Sequence, residues 1–121
     1  MSDAAARKYG LQYFRGLPHD GLSREWGVLH QGCNSGYQAL NLAVLLGAKR
    51  IMLLGFDMRI VDERRHFFGD HPKGMNVQSN YAQWITKFKT IPPDLTGVEV
   101  FNCTKGSALK CFPYKPLKKL L

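Results

Sequence analysis

The sequence predicts an α/β fold in which a small, open and mostly parallel sheet carries helices on both faces, giving three layers. An apolar helix over residues 35–46 leads through Gly47 into a short apolar strand over residues 50–55. A helix followed directly by a strand is half of the unit from which parallel sheets are built. A second helical segment is followed by another strand-like stretch, residues 98–102. The chain of 121 residues is long enough for one compact domain and too short for two.

Within this single α/β domain we expect an irregular N-terminal segment over residues 1–30, a core over 31–113 and a C-terminal tail over 114–121. The net charge of +8 can attract phosphate, nucleic acid or an acidic lipid surface, although a solvated surface is the plainer explanation for most of these charges. No run of eighteen apolar residues is present, so we expect no membrane span. The first ten residues lack the apolar stretch of a secretory signal, and the three cysteines form no CxxC pair. A cytoplasmic protein with reduced thiols is therefore expected.

The turn before the first apolar helix, GCNSG, has two interpretations. Asn34 and Ser35 are good N-cap residues, and Gly32 and Gly36 permit turns and close approaches that a Cβ blocks. The turn is therefore either a capped helix start or a cradle for a phosphate or carboxylate, since free amides and the helix dipole attract anions. It matches neither the phosphate-binding loop nor the six-residue dinucleotide pattern.

The helix over residues 35–46 is apolar almost all round, which predicts cover on more than one side. That cover is a sheet together with either the terminal segments or a second copy of the chain, so this helix is our candidate surface for a homo-oligomer. Residues 51–54 are an unbroken apolar run, which predicts a strand buried on both faces. Asp57 follows this strand, where a carboxylate either contacts a ligand or caps the next loop.

The loop over residues 58–77 contains the richest chemical cluster of the chain, His66, Asp70 and His71. Either histidine is a candidate general base with its tautomer fixed by Asp70. A metal site with Asp70 or Asp57 is the second interpretation, but the spacing matches no standard zinc pattern, so no metal site is predicted. The third interpretation is a structural clasp of hydrogen-bonded imidazoles.

A second helix is predicted over residues 79–89, with Asn76 or Ser79 as its cap. It carries an aromatic and apolar stripe that we expect to pack in the core: Tyr81, Trp84, Ile85 and Phe88. The strand over residues 98–102 follows, and the polar loop over 102–107 is expected at the same sheet edge as Asp57, because crossovers between parallel strands are right-handed.

The order of these motifs resembles a known family. NSG, LGAKRI, GFDM, HFFGDHP and GVEVFNCTKGSALKCFP occur in turn over residues 31–113. They resemble the C-terminal half of a Rossmann-like family of phages and bacteria, similar to bacterial sialyltransferases that use CMP-sialic acid. The same family is similar to the domain shared by motility accessory factors and the archaeal 6-hydroxymethylpterin diphosphokinase.

The resemblance implies a three-layer Rossmann-like sheet and a nucleotide or nucleotide-sugar donor, with Mg²⁺ as an open question. In the sialyltransferases a T-S-G turn and a G-I-D strand end contact the nucleotide, and a later loop histidine is the base. Asn34, Ser35, Gly36 and Asp57 would then bind the donor, and His66 or His71 would be the base.

Relatives in this family begin with a strand and a Gly-Pro-Ser-type loop, and no such stretch precedes Gln31 here. We therefore expect a small or incomplete version of the fold. Such a chain is inactive alone, completes its sheet with another copy, or binds part of the ligand.

The sequence thus favours a transferase-like domain that binds a nucleotide or nucleotide-sugar, glycosyltransferase-like or pyrophosphokinase-like if it is an enzyme. The alternative is a non-catalytic binding module whose basic surface meets nucleic acid or a protein partner. Nucleic acid is less favoured, because no recognised binding motif or patterned basic helix is present.

Overall fold

The computed structural model of the protein describes residues 3–63 and 79–121. Its elements, in chain order, are α1 (Asp3–Tyr9), β1 (Arg15–Leu17), β2 (Val28–His30), α2 (Ser35–Leu45), β3 (Arg50–Leu53), α3 (Tyr81–Phe88) and β4 (Glu99–Asn102). Two 3-10 turns, Pro92–Asp94 and Leu117–Lys119, complete this list. Among the described helices, none has the length and apolar character that crossing a bilayer requires.

The four described strands form two small sheets, both parallel. β1 pairs with β2 with Arg15 opposite Val28, and β3 pairs with β4 with Arg50 opposite Glu99. Parallel neighbours require a crossover connection, and α3 lies between β3 and β4 in the chain. The predicted mixture of helices with parallel strands is therefore confirmed.

Helix α2 begins and ends close to the predicted positions. The side-chain oxygen of Asn34 accepts a hydrogen bond of 3.2 Å from the amide of Tyr37, which makes Asn34 the N-cap. The helix stops before Gly47, whose φ of 86° is a conformation that favours glycine. Its buried face consists of Tyr37, Leu40, Asn41 and Val44.

The expectation that residues 51–54 are buried on both faces is wrong for part of the run. Leu53 is buried, but Ile51 and Met52 are only half-buried and Leu54 is 58% exposed. Strand β3 ends at Leu53, so Leu54 lies beyond the ladder that β3 forms with β4.

Helix α3 is shorter than predicted and has a different cap. It spans Tyr81–Phe88, and the side-chain oxygen of Asn80 accepts a hydrogen bond of 3.1 Å from the amide of Gln83. Asn80 therefore replaces Ser79 as the cap, while Asn76 lies outside the described residues. Several polar residues precede α3 in the sequence, and only the hydrogen-bond geometry shows which of them caps the helix.

The ring of Phe88 is the centre of the hydrophobic core. Phe88 is fully buried, and three aromatic rings meet it edge-to-face. The ring centroids of Tyr37, Phe56 and Phe112 lie 5.3, 5.9 and 6.3 Å from that of Phe88. These contacts join α2, the loop after β3 and the C-terminal region to the end of α3.

Residues 1–30, expected to be irregular, contain α1, β1 and β2. Alanine is the best helix former, which accounts for α1 in a segment with three consecutive alanines. The loop before β2 is attached to the region after α3. The amide of Gly21 donates to the hydroxyl of Thr90, and the amide of Leu22 donates to the carboxylate of Asp94, both at 2.9 Å.

The C-terminal residues lie along the outer edge of β4. Asn102 forms a parallel bridge with Tyr114, in which the Asn102 amide donates to the Pro113 carbonyl at 2.9 Å. The Lys115 amide donates to the Asn102 carbonyl at 3.2 Å, and the Lys115 ammonium lies 4.6 Å from the ring centroid of Phe101. This segment extends the ladder by one rung.

Candidate ligand-binding site

A pocket of about 890 Å³ lies where the start of α2 meets the chain that follows β3. This volume is typical of sites for small molecules and cofactors. Three groups of residues line it: Asn34, Ser35 and Gly36 from the start of α2; Gly55 to Arg59, Val61 and Asp62 from the loop after β3; and Ser79, Tyr81 and Trp84 at the start of α3. The lining includes all four residues that were predicted to bind a ligand: Asn34, Ser35, Gly36 and Asp57.

The start of α2 lines one side of the pocket. Gly32 and Cys33 both have left-handed backbone angles, with φ of 53° and 55°, and they turn the chain into the helix. The side-chain oxygen of Asn34 is used by the amide of Tyr37. The amides of Ser35 and Gly36 belong to the first helical turn, where no carbonyl within the helix can accept from them. Two residues with backbone donors that the helix does not use therefore line the pocket at the positive end of α2.

Gly36 is required by the close approach of Phe56. An ideal Cβ at Gly36 would lie 2.8 Å from Cε1 of Phe56 and 2.9 Å from the side-chain oxygen of Asn34. Such distances are shorter than real side chains tolerate, so only glycine fits without a shift. The missing side chain places the Phe56 ring directly against the helix start.

The loop after β3 is fixed by the loop after β4. The amide of Phe56 donates to the hydroxyl of Thr104 at 3.0 Å, and the hydroxyl of Ser107 donates to the Phe56 carbonyl. The amide of Ala108 donates to the Asp57 carbonyl at 2.9 Å. These bonds put the polar loop after β4 beside Asp57, as the sequence predicts.

Asp57 is half-buried, and its carboxylate has no hydrogen bond or ion pair to any other residue within 3–63 and 79–121. The interpretation of Asp57 as a cap for the next loop therefore has no support among these residues. Met58 follows with a φ of 51°, an uncommon conformation for a side chain of this size. Such conformations recur at functional sites, where the surrounding structure holds them.

Arg59 brings a positive charge to the pocket. Its Nε donates a hydrogen bond of 2.8 Å to the Gly106 carbonyl, which positions the guanidinium between the loops after β3 and β4. Arginine presents several donors in a fixed plane and so suits phosphate and carboxylate groups. Asp62, with a φ of 49°, adds a second carboxylate to the same wall.

Tyr81 and Trp84 form an aromatic wall at the start of α3. Both are half-buried and pack against the core, and their ring centroids are 5.4 Å apart with perpendicular ring planes. The predicted stripe on this helix is therefore core at Phe88 and pocket wall at Tyr81 and Trp84.

Sequence reasoning did not assign the other residues that line the pocket, among them Arg59, Tyr81 and Trp84. Arg59 follows Asp57 by two residues, and this short separation could have identified it as a second pocket residue. The residues predicted to act as acid or base, His66, Asp70 and His71, lie outside the described residues. Within the described ranges, no three His, Cys, Asp or Glu side chains come together as a metal site.

Comparisons with protein-family models, with curated proteins and with solved structures found no significant match.

Proposed function

We propose that this chain is a transferase-like domain that binds a nucleotide or a nucleotide-sugar in the pocket between α2, β3 and α3. One observation carries the proposal: Ser35 and Gly36, whose amides have no acceptor within the helix, line the same pocket as Asp57, whose carboxylate has no hydrogen bond to another described residue. A nucleotide has an anionic end that suits amides and Arg59, and ribose hydroxyls that suit a carboxylate acceptor. The position after a parallel strand also agrees with the general location of ligands in open α/β sheets.

As part of this proposal, the two parallel sheets belong to a small Rossmann-like architecture with helices on both faces. The resemblance of the NSG and GFDM motifs to nucleotide-contacting turns supports this arrangement. In the enzymatic form of the proposal, His66 or His71 takes the proton of an acceptor hydroxyl, with Asp70 fixing the tautomer. The amides of α2 and Arg59 stabilise the charge that develops on the leaving phosphate.

The experiment is a thermal-shift titration with CMP, CDP, UDP, ADP and ATP, each with and without Mg²⁺. A ligand that binds only the folded chain stabilises it by about 2.7 kcal/mol at a hundredfold excess over Kd, which raises Tm by several degrees. We expect at least one nucleotide to raise Tm and Asp57→Asn to lose most of that shift while its Tm without ligand stays close to that of the parent chain.

The matched control is Glu25→Gln, which removes one negative charge from an exposed position outside the pocket. This variant should keep the full nucleotide shift. If no nucleotide raises Tm and the chain instead binds DNA or RNA with a steep dependence on salt, the non-catalytic basic module is the better assignment.

A further inference from the structure

The described part of the pocket has two chemically different sides. The start of α2 and Arg59 supply amides and a positive charge. Tyr81 and Trp84 supply aromatic surface. A ligand that satisfies both sides has an anionic end and a flat ring system, and a nucleotide has both.

The aromatic side is held firmly by the core. Along α3, Trp84 is one helical turn from the fully buried Phe88, and Tyr81 is nearly one turn further. Both side chains are half-buried and pack against the core cluster. Their perpendicular arrangement makes a corner, so a flat ring stacked on one of them directs its edge toward the other.

We propose that the nucleobase of the ligand stacks in this corner, with Trp84 as the principal platform, while the phosphates lie at the start of α2 beside Arg59. This inference rests on the proposed function and adds the orientation of the ligand and the residue that recognises its base. Stacking of a base on an aromatic side chain is a substantial part of affinity in many nucleotide-binding sites.

The chain offers a direct optical test, because it contains two tryptophans and only Trp84 lines the pocket. Trp26 lies in the N-terminal region, 57% exposed and in edge-to-face contact with Phe14. In Trp26→Phe all tryptophan fluorescence comes from Trp84, and in Trp84→Phe it all comes from Trp26. Each variant is titrated with the nucleotides that raise Tm, with the corresponding nucleosides and with inorganic diphosphate.

We expect nucleotides to quench the fluorescence of Trp26→Phe in a saturable way and to leave that of Trp84→Phe unchanged apart from light absorption by the ligand. The nucleoside should quench Trp84 at higher concentration, because it retains the base, and diphosphate should not quench it. By calorimetry, Trp84→Leu should bind the nucleotide at least about fivefold more weakly, the lower end of the effect of losing one stacking partner. Trp84→Phe should recover most of that loss.

The optical titration of Trp26→Phe changes no pocket residue, so it remains decisive if Trp84→Leu fails to fold. If nucleotides raise Tm in an Asp57-dependent manner but Trp84 fluorescence does not change and Trp84→Leu binds as tightly as the parent, the orientation is wrong and the proposed function stands. If no nucleotide binds at all, both proposals are overturned.

Discussion

The side chain of Asn41 forms hydrogen bonds with both the backbone N–H and the backbone C=O of Ser23. Its side-chain oxygen accepts from the Ser23 amide at 3.0 Å, and its side-chain nitrogen donates to the Ser23 carbonyl at 2.9 Å. The same oxygen also accepts from the amide of His30 at 3.0 Å. Asn41 has no exposed surface, so one buried amide on α2 fixes both the loop before β2 and the end of β2.

Asn41→Leu should strongly destabilise the fold. The change keeps the volume but leaves two backbone amides and one carbonyl without their partner, each at a cost of roughly 1–3 kcal/mol when buried. We expect a loss of about 3 kcal/mol or more in the free energy of unfolding, measured by urea titration. Gln38→Leu, one turn earlier on the same helix, is the matched control. Equal losses for the two variants would contradict this account.

Gly36→Ala should lower stability even though alanine is the better helix former. The substitution gains about 1 kcal/mol of helix propensity, whereas crowding a packed side chain costs typically 1–3 kcal/mol. The crowded groups are the ring of Phe56 and the side-chain oxygen of Asn34, so the loss should shrink in a Phe56→Leu background. A double-mutant cycle by urea unfolding measures this coupling. Additive effects would show that Phe56 does not restrict Gly36.

Arg59→Gln should weaken binding of nucleotides and leave binding of nucleosides nearly unchanged. A hydrogen bond to a charged group contributes about 1.5–3 kcal/mol, which corresponds to roughly tenfold or more in Kd. Isothermal calorimetry with a nucleotide and its nucleoside provides the comparison. Arg15→Gln, at an exposed position outside the pocket, is the control for the loss of one positive charge. An equal effect of both variants would indicate a nonspecific attraction by the basic surface.

Cys111 should react slowly with an alkylating reagent, and Cys33 should react quickly. Burial raises the pKa of Cys111 from 9.0 to about 11, whereas Cys33 is exposed. At pH 8 iodoacetamide should modify Cys33 and spare Cys111, as read by mass spectrometry, because the thiolate is the reactive form. Cys111 should become reactive only as the pH approaches 11 or when the chain is unfolded.

The same raised pKa predicts the direction of a pH effect on stability. The folded chain retains the Cys111 proton at a pH where the unfolded chain loses it, so this contribution is present below pH 9 and is lost as the pH rises toward 11. Cys111→Ala should therefore show a smaller decline in unfolding free energy over that range. If the unfolding free energy of Cys111→Ala declines as much as that of the parent chain, other titratable groups cause the decline.

Local signals in the sequence predicted the central part of the fold. The capping side chain of Asn34, the apolar helix and the Gly47 stop act within a few residues, and the structure places α2 at Ser35–Leu45 accordingly. The apolar run after Gly47 predicted a strand correctly, but not the exposure of Leu54, because exposure depends on which neighbours the strand has.

Contacts between residues far apart in the chain could not be predicted from the sequence. Nothing near Gly21 or Leu22 indicates that their amides meet Thr90 and Asp94, some seventy residues later. The aromatic wall shows the same limit. A stripe with helical spacing identifies the inner face of α3, but the fold decides that Trp84 borders a cavity.

The bridge between Tyr114 and Asn102 also covers one end of the outer edge of β4. Uncovered strand edges are templates on which further chains can pair and aggregate. Here the Asn102 amide and carbonyl are already bonded to Pro113 and Lys115, so another chain cannot form strand hydrogen bonds with this residue. Residues 113–115 thus leave neither backbone group of Asn102 unpaired for another chain to bond.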